Sequence, residues 1–145
     1  MSSGVLMFPT PTPVDITVVA RKVEELGFDS LWLGEHPIMP VHGTSRFPGS
    51  PDGVIPDNSS WFVDPFVALG RASAVTTTLK PGPGITLEPE RHPLLLAKTI
   101  ATLDYYSSGR FIFGIGAGWH KEETEIMGGA TSPTAERRPE KPLRR

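Results

Sequence analysis

The sequence predicts an α/β fold in which short buried strands alternate with amphipathic helices, and three observations carry that expectation. Apolar runs recur at 4–8, 28–34, 79–87 and 110–118. Between them apolar residues return at helical spacing, first at Val14, Ile16, Val19, Ala20, Val23 and Leu26. Proline and glycine, 16 and 15 of the 145 residues, gather at 37–57, 81–84 and 128–142 and so mark loops between ordered segments.

Each element follows in order. The first strand (GVLMF, 4–8) runs into a turn-rich PTPTP, after which Thr12 suits the cap of the first helix, Pro13 its first turn and Gly27 its left-handed C-terminal residue. FDSLWLG (28–34) is the second strand. A loop from His36 to about Phe62 is longer than most connections within a compact domain, which points to a functional lid or to disorder. Asp64 and Pro65 open the second helix as cap and first-turn proline, and Phe66, Leu69, Ala72 and Val75 continue it. The third strand is 79–87, where Pro81 and Pro83 remove ladder N–H groups on one side and should weaken pairing with one neighbour. Pro93 starts the third helix, which runs to about Tyr106 and ends at Gly109; 110–118 is the fourth strand, and His120 to about Met127 the fourth helix. Lys121, Glu122 and Glu123 read as a solvated first turn, with the acids favoured by the helix dipole. This βαβα order predicts a parallel sheet with right-handed crossovers, in either a doubly wound sheet or a (β/α)8 barrel, the latter typically ~250 residues long.

Composition narrows the function. A formal net charge of −2 and a pI near 6.1 supply no field for nucleic acid or an anionic membrane. The absence of cysteine excludes a disulfide framework and thiolate metal sites, and fits a reducing cytoplasm. The run Val5 to Phe8 is too short for a signal h-region or a membrane span. A soluble, cytoplasmic protein is expected.

GIGAGW (114–119) looks like a dinucleotide loop, but the Rossmann spacing G-x-G-x-x-G would need a glycine where Trp119 stands. Its glycines alternate at 114, 116 and 118 and share one face of a strand, which something must approach closely. Together with EELGFDSLWLGEH (24–36), DPFVALGRASAVT (64–76) and ERHPLLLAKTIATLDYYSSGRFIFGIGAGWHKEE (90–123), it resembles the N-terminal half of the luciferase-like monooxygenase superfamily, in the branch that uses the deazaflavin coenzyme F-420.

The resemblance implies a (β/α)8 TIM barrel of which about four βα units are present, over residues 1–129. In such a barrel the chemistry sits at the C-terminal strand ends, here Glu35-His36, Gly84-Ile85-Thr86 and Gly116-Ala117-Gly118-Trp119. The resemblance places the coenzyme ring over Gly84, Ile85, Thr86, Gly116, Ala117 and Gly118, against a non-prolyl cis peptide at Gly84-Ile85. His36 is then a proton donor or acceptor, since imidazole titrates near neutrality; capping the strand end is its plainer alternative. Glu35 is a catalytic candidate or a structural salt bridge, and Trp119 lines the substrate side or packs on the rim. Arg91-His92-Pro93 could reach a phosphate at a helix N-terminus or form a turn with a solvated arginine, and Trp32 belongs to the core of the barrel or to its helix layer. No metal pattern surrounds Glu35-His36.

After Gly129 the composition turns to ATSPTAERRPEKPLRR, which reads as a disordered polar and basic tail (130–145), out of frame with the family pattern. The expectation is therefore a truncated oxidoreductase whose full-length relatives pass a hydride between F-420 and a small organic substrate. Its alternatives are an FMN-dependent monooxygenase of the same superfamily, and an inactive or oligomerising half-barrel fragment. Strands one and four would present unpaired edges through which a second copy could pair.

Overall fold

The computed structural model describes residues 2–11 and 14–129; the expectations for Thr12, Pro13 and the tail 130–145 lie outside the described residues. The elements are β1 (Gly4–Met7), α1 (Ile16–Glu25), β2 (Ser30–Leu33), α2 (Pro65–Ser73), β3 (Lys80–Pro83), β4 (Thr86–Leu87), α3 (Pro93–Tyr106), β5 (Ile115–Gly116) and α4 (Lys121–Ile126), with single 3-10 turns at Asp57–Trp61 and Glu88–Glu90. All strand pairs are parallel: β1 lies on β2, β2 on β3, and β4 on β5.

Local signals account for most helix ends. Asp64 caps α2 through a 3.0 Å bond from the Val67 N–H, and Pro65 occupies the first turn. Gly27 and Gly109 follow α1 and α3 with φ of +80° and +74°, a conformation in which a Cβ would be strained. The start of α1 corrects the sequence expectation. Its cap is Asp15, whose carboxylate accepts the Thr17 N–H at 2.8 Å and the Arg71 guanidinium at 2.5 Å, so Ile16 takes the place expected for Pro13.

The core decides the architecture. Leu31 and Leu33 of β2 are fully buried against Ala20 and Val23 of α1 and Ala68, Leu69 and Ala72 of α2. Helix α1 packs on α2 and α2 on α3. Strands in sequence order with consecutive helices against one another match successive barrel units; a doubly wound sheet would reverse its strand order and place helices on both faces.

The opposite face of the strands is built around Trp32. Its indole donates to Ser30 Oγ at 2.8 Å, and the Trp32 side chain lies across Gly4, Gly82 and Gly84, where added Cβ atoms would crowd it. Trp32 thus belongs to the strand face turned away from the helices.

Pro81 and Pro83 act as their missing N–H groups dictate. The N–H groups of Lys80 and Gly84 bond to β2, at Asp29 O and Leu33 O. The other edge offers only carbonyls: Ile112 N–H donates to Pro81 O at 2.9 Å, and Gly114 lies so close to the Pro83 carbonyl that a Cβ would overlap it. Regular pairing resumes only past the prolines, where Thr86 N–H meets Gly114 O at 2.8 Å. The expected third strand is therefore divided into β3 and β4, and the expected fourth strand shrinks to β5.

A side chain substitutes for part of the missing ladder. Arg110 bonds to the carbonyls of Ser73, Thr76, Leu79 and Ser107 and to the Thr76 hydroxyl, tying the ends of α2 and α3 to the start of β3. Arg110→Ala would leave buried carbonyls without partners and should lower the unfolding free energy by about 2–4 kcal/mol in urea denaturation. Arg110→Lys should recover less than half of that loss, because an ammonium cannot fork to several carbonyls.

Candidate functional site

The C-terminal ends of β2, β4 and β5 open onto a cleft of about 700 Å³. Glu35, His36, Gly84, Ile85, Gly118 and Trp119 all line it. The Gly84–Ile85 peptide is cis. Thr86, Gly116 and Ala117 do not line the cleft: Thr86 is fully buried, and Gly116 lies beneath the Ile85 side chain, which fills the space a Cβ would take. The alternating glycines of GIGAGW thus serve the neighbouring strand first, with Gly114 meeting the Pro83 carbonyl, Gly116 the Ile85 side chain and Gly118, at φ +78°, the Leu87 side chain.

The long loop completes the cleft as an ordered wall. Phe47 and Phe62 come from it, and with Trp119 they box in the His36 ring: Trp119 stands edge-on to His36 at 5.6 Å and to Phe47 at 5.6 Å, and Phe62 lies 5.8 Å from His36. The loop is fastened to α4 by Glu122, which accepts from the Ser45 hydroxyl, the Thr44 N–H at 2.6 Å and the Thr44 hydroxyl at 2.9 Å. These bonds, led by the Ser45 hydroxyl, hold the Glu122 carboxyl well below the usual carboxylate range.

Glu123 was the residue that sequence reasoning missed. It is not solvated: it has no exposed surface, and its Oε2 lies 2.7 Å from His36 Nδ1. A carboxylate at Nδ1 fixes the proton there and leaves Nε2 as the nitrogen free to exchange one. The available signal was helical spacing, since His120, Glu123 and Thr124 form the buried stripe of α4. His120 caps that helix by accepting the Glu123 N–H at 3.2 Å.

Glu35 takes the structural alternative. Its side chain is fully buried, pairs with Arg91 and accepts the Leu87 N–H at 2.7 Å, locking the end of β2 to the segment after β4. Arg91 is only partly exposed, and its guanidinium is taken up by Glu35 rather than free for a phosphate. It also lies 3.5 Å from Asp64 and 4.6 Å over the Phe66 ring.

Glu90 is the second residue the sequence did not mark. It is 5% exposed; Oε1 is 2.8 Å from the Thr124 hydroxyl and Oε2 has no partner among the described residues. Burial raises its pKa to about 7, and the Glu123 and Glu35 charges push the same way, against the Thr124 hydrogen bond and the His36 charge. Among the described residues no group of three or more His, Asp or Glu side chains is placed to hold a metal ion, and no helix is long and apolar enough to cross a membrane.

The fold and this cleft agree with what comparison with known proteins finds. A family model described as luciferase-like monooxygenase matches residues 2–145. The chain belongs to the luciferase-like monooxygenase family. An uncharacterized protein of Mycobacterium tuberculosis is 36% identical over 124 residues, covering 85% of this chain and 44% of that one. The 5,10-methylenetetrahydromethanopterin reductase of Methanopyrus kandleri is 31% identical over 118 residues, 81% of this chain and 27% of the reductase. The solved coenzyme F-420 dependent tetrahydromethanopterin reductase from that organism superposes with a TM-score of 0.62 at 30% identity over 88% of this chain and 30% of that one. The oxygenating constituent of 3,6-diketocamphane monooxygenase from Pseudomonas putida, in complex with FMN, superposes with a TM-score of 0.66 at 23% identity, covering 88% of this chain and 32% of that one, and shows the shared fold. The chain thus spans less than half the length of these proteins. Its named relatives are oxidoreductases, using F-420 in one case.

Two opposed titrations set the pH dependence of stability. Glu24 would be raised by burial, but the N–H groups of Thr78, Leu79 and Thr77 outweigh it and bring its carboxyl down to about 2, so its contribution is present above pH 4.5 and is lost as pH falls toward 2. Glu90, raised from 4.5 to about 7, costs nothing below pH 4.5 and imposes its full penalty, about 3 kcal/mol, once pH passes 7. The melting temperature should be highest near pH 4.5, fall by roughly 5–10 °C between there and pH 7, and level off above it. In Glu90→Gln the fall between pH 4.5 and 7 should largely disappear, as read by circular dichroism melts across pH.

Proposed function

We propose that this chain forms the ring-binding and proton-transfer half of a luciferase-like oxidoreductase site. In this reading F-420 lies with its flat deazaflavin on the floor made by Gly84, Ile85 and Gly118, and a small neutral organic substrate packs between it and Trp119. The observation that carries the reading is the pairing of an apolar, aromatic-walled cleft with one polar reactive group, the His36–Glu123 pair. Ile85 is 40% exposed, so a planar ring would have an apolar surface to cover. No lysine or arginine lines the cleft among the described residues, which suits a neutral ring and substrate and leaves the phosphate of a coenzyme tail without a cation here.

Bound F-420 would supply a centre that takes or gives a hydride. The residues of this chain do the rest. Phe47, Phe62 and Trp119 exclude water from the reacting centre, Glu123 holds the His36 tautomer, and His36 Nε2 takes the proton from, or returns it to, the substrate heteroatom. FMN is the second reading, because its tricyclic ring has the same outline and the floor makes no polar distinction between the two.

Titrating F-420 and FMN side by side with purified protein should perturb the deazaflavin spectrum if F-420 is the coenzyme and the flavin spectrum if FMN is, and Trp119→Ala should weaken binding by about tenfold. Absence of any spectral change with either coenzyme would leave a fragment without coenzyme function. In a chain that turns over, His36→Ala should leave coenzyme affinity within about threefold and cut kcat by about 10²–10⁴. Glu123→Gln should keep the fold and lower kcat by a smaller factor, since the neutral amide no longer supports the imidazolium.

A further inference from the structure

We propose that Ser59, in the 3-10 turn of the long loop, is a substrate-binding residue of the cleft, and that the substrate it selects is a small uncharged alcohol or the ketone related to it. The inference rests on the reading of the cleft as an oxidoreductase site and adds to it the chemical class of the substrate.

The described residues hold four buried serines, and three of them are satisfied inside the protein. Ser30 Oγ accepts from the Trp32 indole, Ser73 Oγ donates to the Gly70 carbonyl and Ser107 Oγ to the Asp104 carbonyl. Ser59 is 7% exposed, yet its hydroxyl makes no hydrogen bond to any described residue. Its neighbour Ser60 does what a hydroxyl in a short helical turn ordinarily does, donating back to Asp57 O at 3.0 Å. Nor is the Ser59 oxygen sealed from solvent, as the partnerless Thr86 Oγ1 is. Ser59 lines the cleft, so the small surface its hydroxyl keeps is open to that space.

The local sequence explains how the hydroxyl comes to face inward. Pro56 starts the turn Asp57–Trp61, the Ser59 N–H closes it on Pro56 O at 2.9 Å, and the other four residues of the turn are exposed. Side chains three residues apart in such a turn stand one above the other, so Ser59 shares the side of Phe62. The Phe62 ring is stacked on Phe8 at 5.3 Å and lies 5.8 Å from His36. The turn thereby sets a hydroxyl into the wall next to the group that exchanges protons.

Besides the Trp119 indole, four hydrogen-bonding side chains line the cleft: Glu35, His36, Asn58 and Ser59. Glu35 is taken up by Arg91 and the Leu87 N–H, and Asn58 is exposed, so water already serves its amide. His36 Nε2 and Ser59 Oγ are left for a ligand, and a hydroxyl both donates and accepts. An alcohol can give its O–H to His36 Nε2 while its oxygen accepts the Ser59 proton. The oxygen of the related ketone accepts from Ser59 and from a protonated His36. A carboxylate or phosphate would find no lysine or arginine among the lining residues, and a hydrocarbon would leave the Ser59 hydroxyl buried without a partner. Ser59 only holds and orients the oxygen; it makes and breaks no covalent bond.

The test measures the affinity of three probes by nuclear magnetic resonance titration of the labelled chain, first without coenzyme and then with F-420 or FMN added. Cyclohexanol and cyclohexanone carry the oxygen; methylcyclohexane has a similar size and lacks it. Ser59→Ala should weaken both oxygenated probes by about three- to tenfold and leave methylcyclohexane within about twofold. Ser59→Thr, which keeps the hydroxyl, should recover part of the loss, and Asn58→Ala should change none of the three affinities. Equal affinity of wild type and Ser59→Ala for the oxygenated probes overturns the proposal, as do equal losses for all three probes or the absence of binding by any probe in every coenzyme state. Absence of a spectral change with both F-420 and FMN overturns the oxidoreductase reading instead, and the coenzyme-free titration still decides whether Ser59 holds an oxygen.

Discussion

The structure depends on how its fourth strand is attached to a third strand that cannot donate to it. Pro81 and Pro83 present carbonyls without N–H groups on that edge, so a normal parallel ladder is unavailable over residues 81–83. Two devices compensate. Glycine at 82 and 114 lets the two backbones approach more closely than side chains would allow. Side-chain clamps then fasten the ends, with Arg110 holding the carbonyls of α2, β3 and α3 at one end, and Glu35–Arg91 and His36–Glu123 joining distant segments at the other.

The clamps at the cleft end do more than hold strands together. Because Glu35 is occupied by Arg91 and the Leu87 N–H, the neighbouring His36 is the residue of the pair left to act in the cleft. Because Glu123 holds His36 from α4, the orientation of the imidazole is tied to the segment between β5 and α4 that carries Gly118 and Trp119. Glu122 fastens the long loop to the same helix turn. One turn of α4 therefore sets both the reactive group and the wall that shields it, which brings together proton chemistry and water exclusion with few residues.

The site also concentrates acids. Glu35, Glu90 and Glu123 are all buried close to His36, and only two of them have a cationic or imidazole partner. Like charges at short range in a poorly solvated region favour keeping one of them protonated, and the unpartnered Glu90 is the one so favoured. The same arrangement lowers stability at high pH, a cost that ordinary core packing would avoid.

The order of strands and helices, the cap and proline at Asp64 and Pro65, the left-handed glycines at 27 and 109, and the weakened edge beside Pro81 and Pro83 were all determined by local sequence. They rest on backbone conformation and hydrogen-bonding capacity that a residue carries wherever it is placed. The family resemblance added the barrel and pointed to Glu35-His36 and the cis peptide at Gly84–Ile85. Tertiary structure alone decided which acids meet which bases. Glu123 lies 87 residues from His36 along the chain, and nothing in a run of Lys, Glu and Glu says which of them turns inward. Glu35 and Arg91 are likewise 56 residues apart. Burial and long-range pairing are properties of the packed chain, so the roles of Glu35, Glu90, Arg91 and Glu123 became visible only when the strands and helices were assembled.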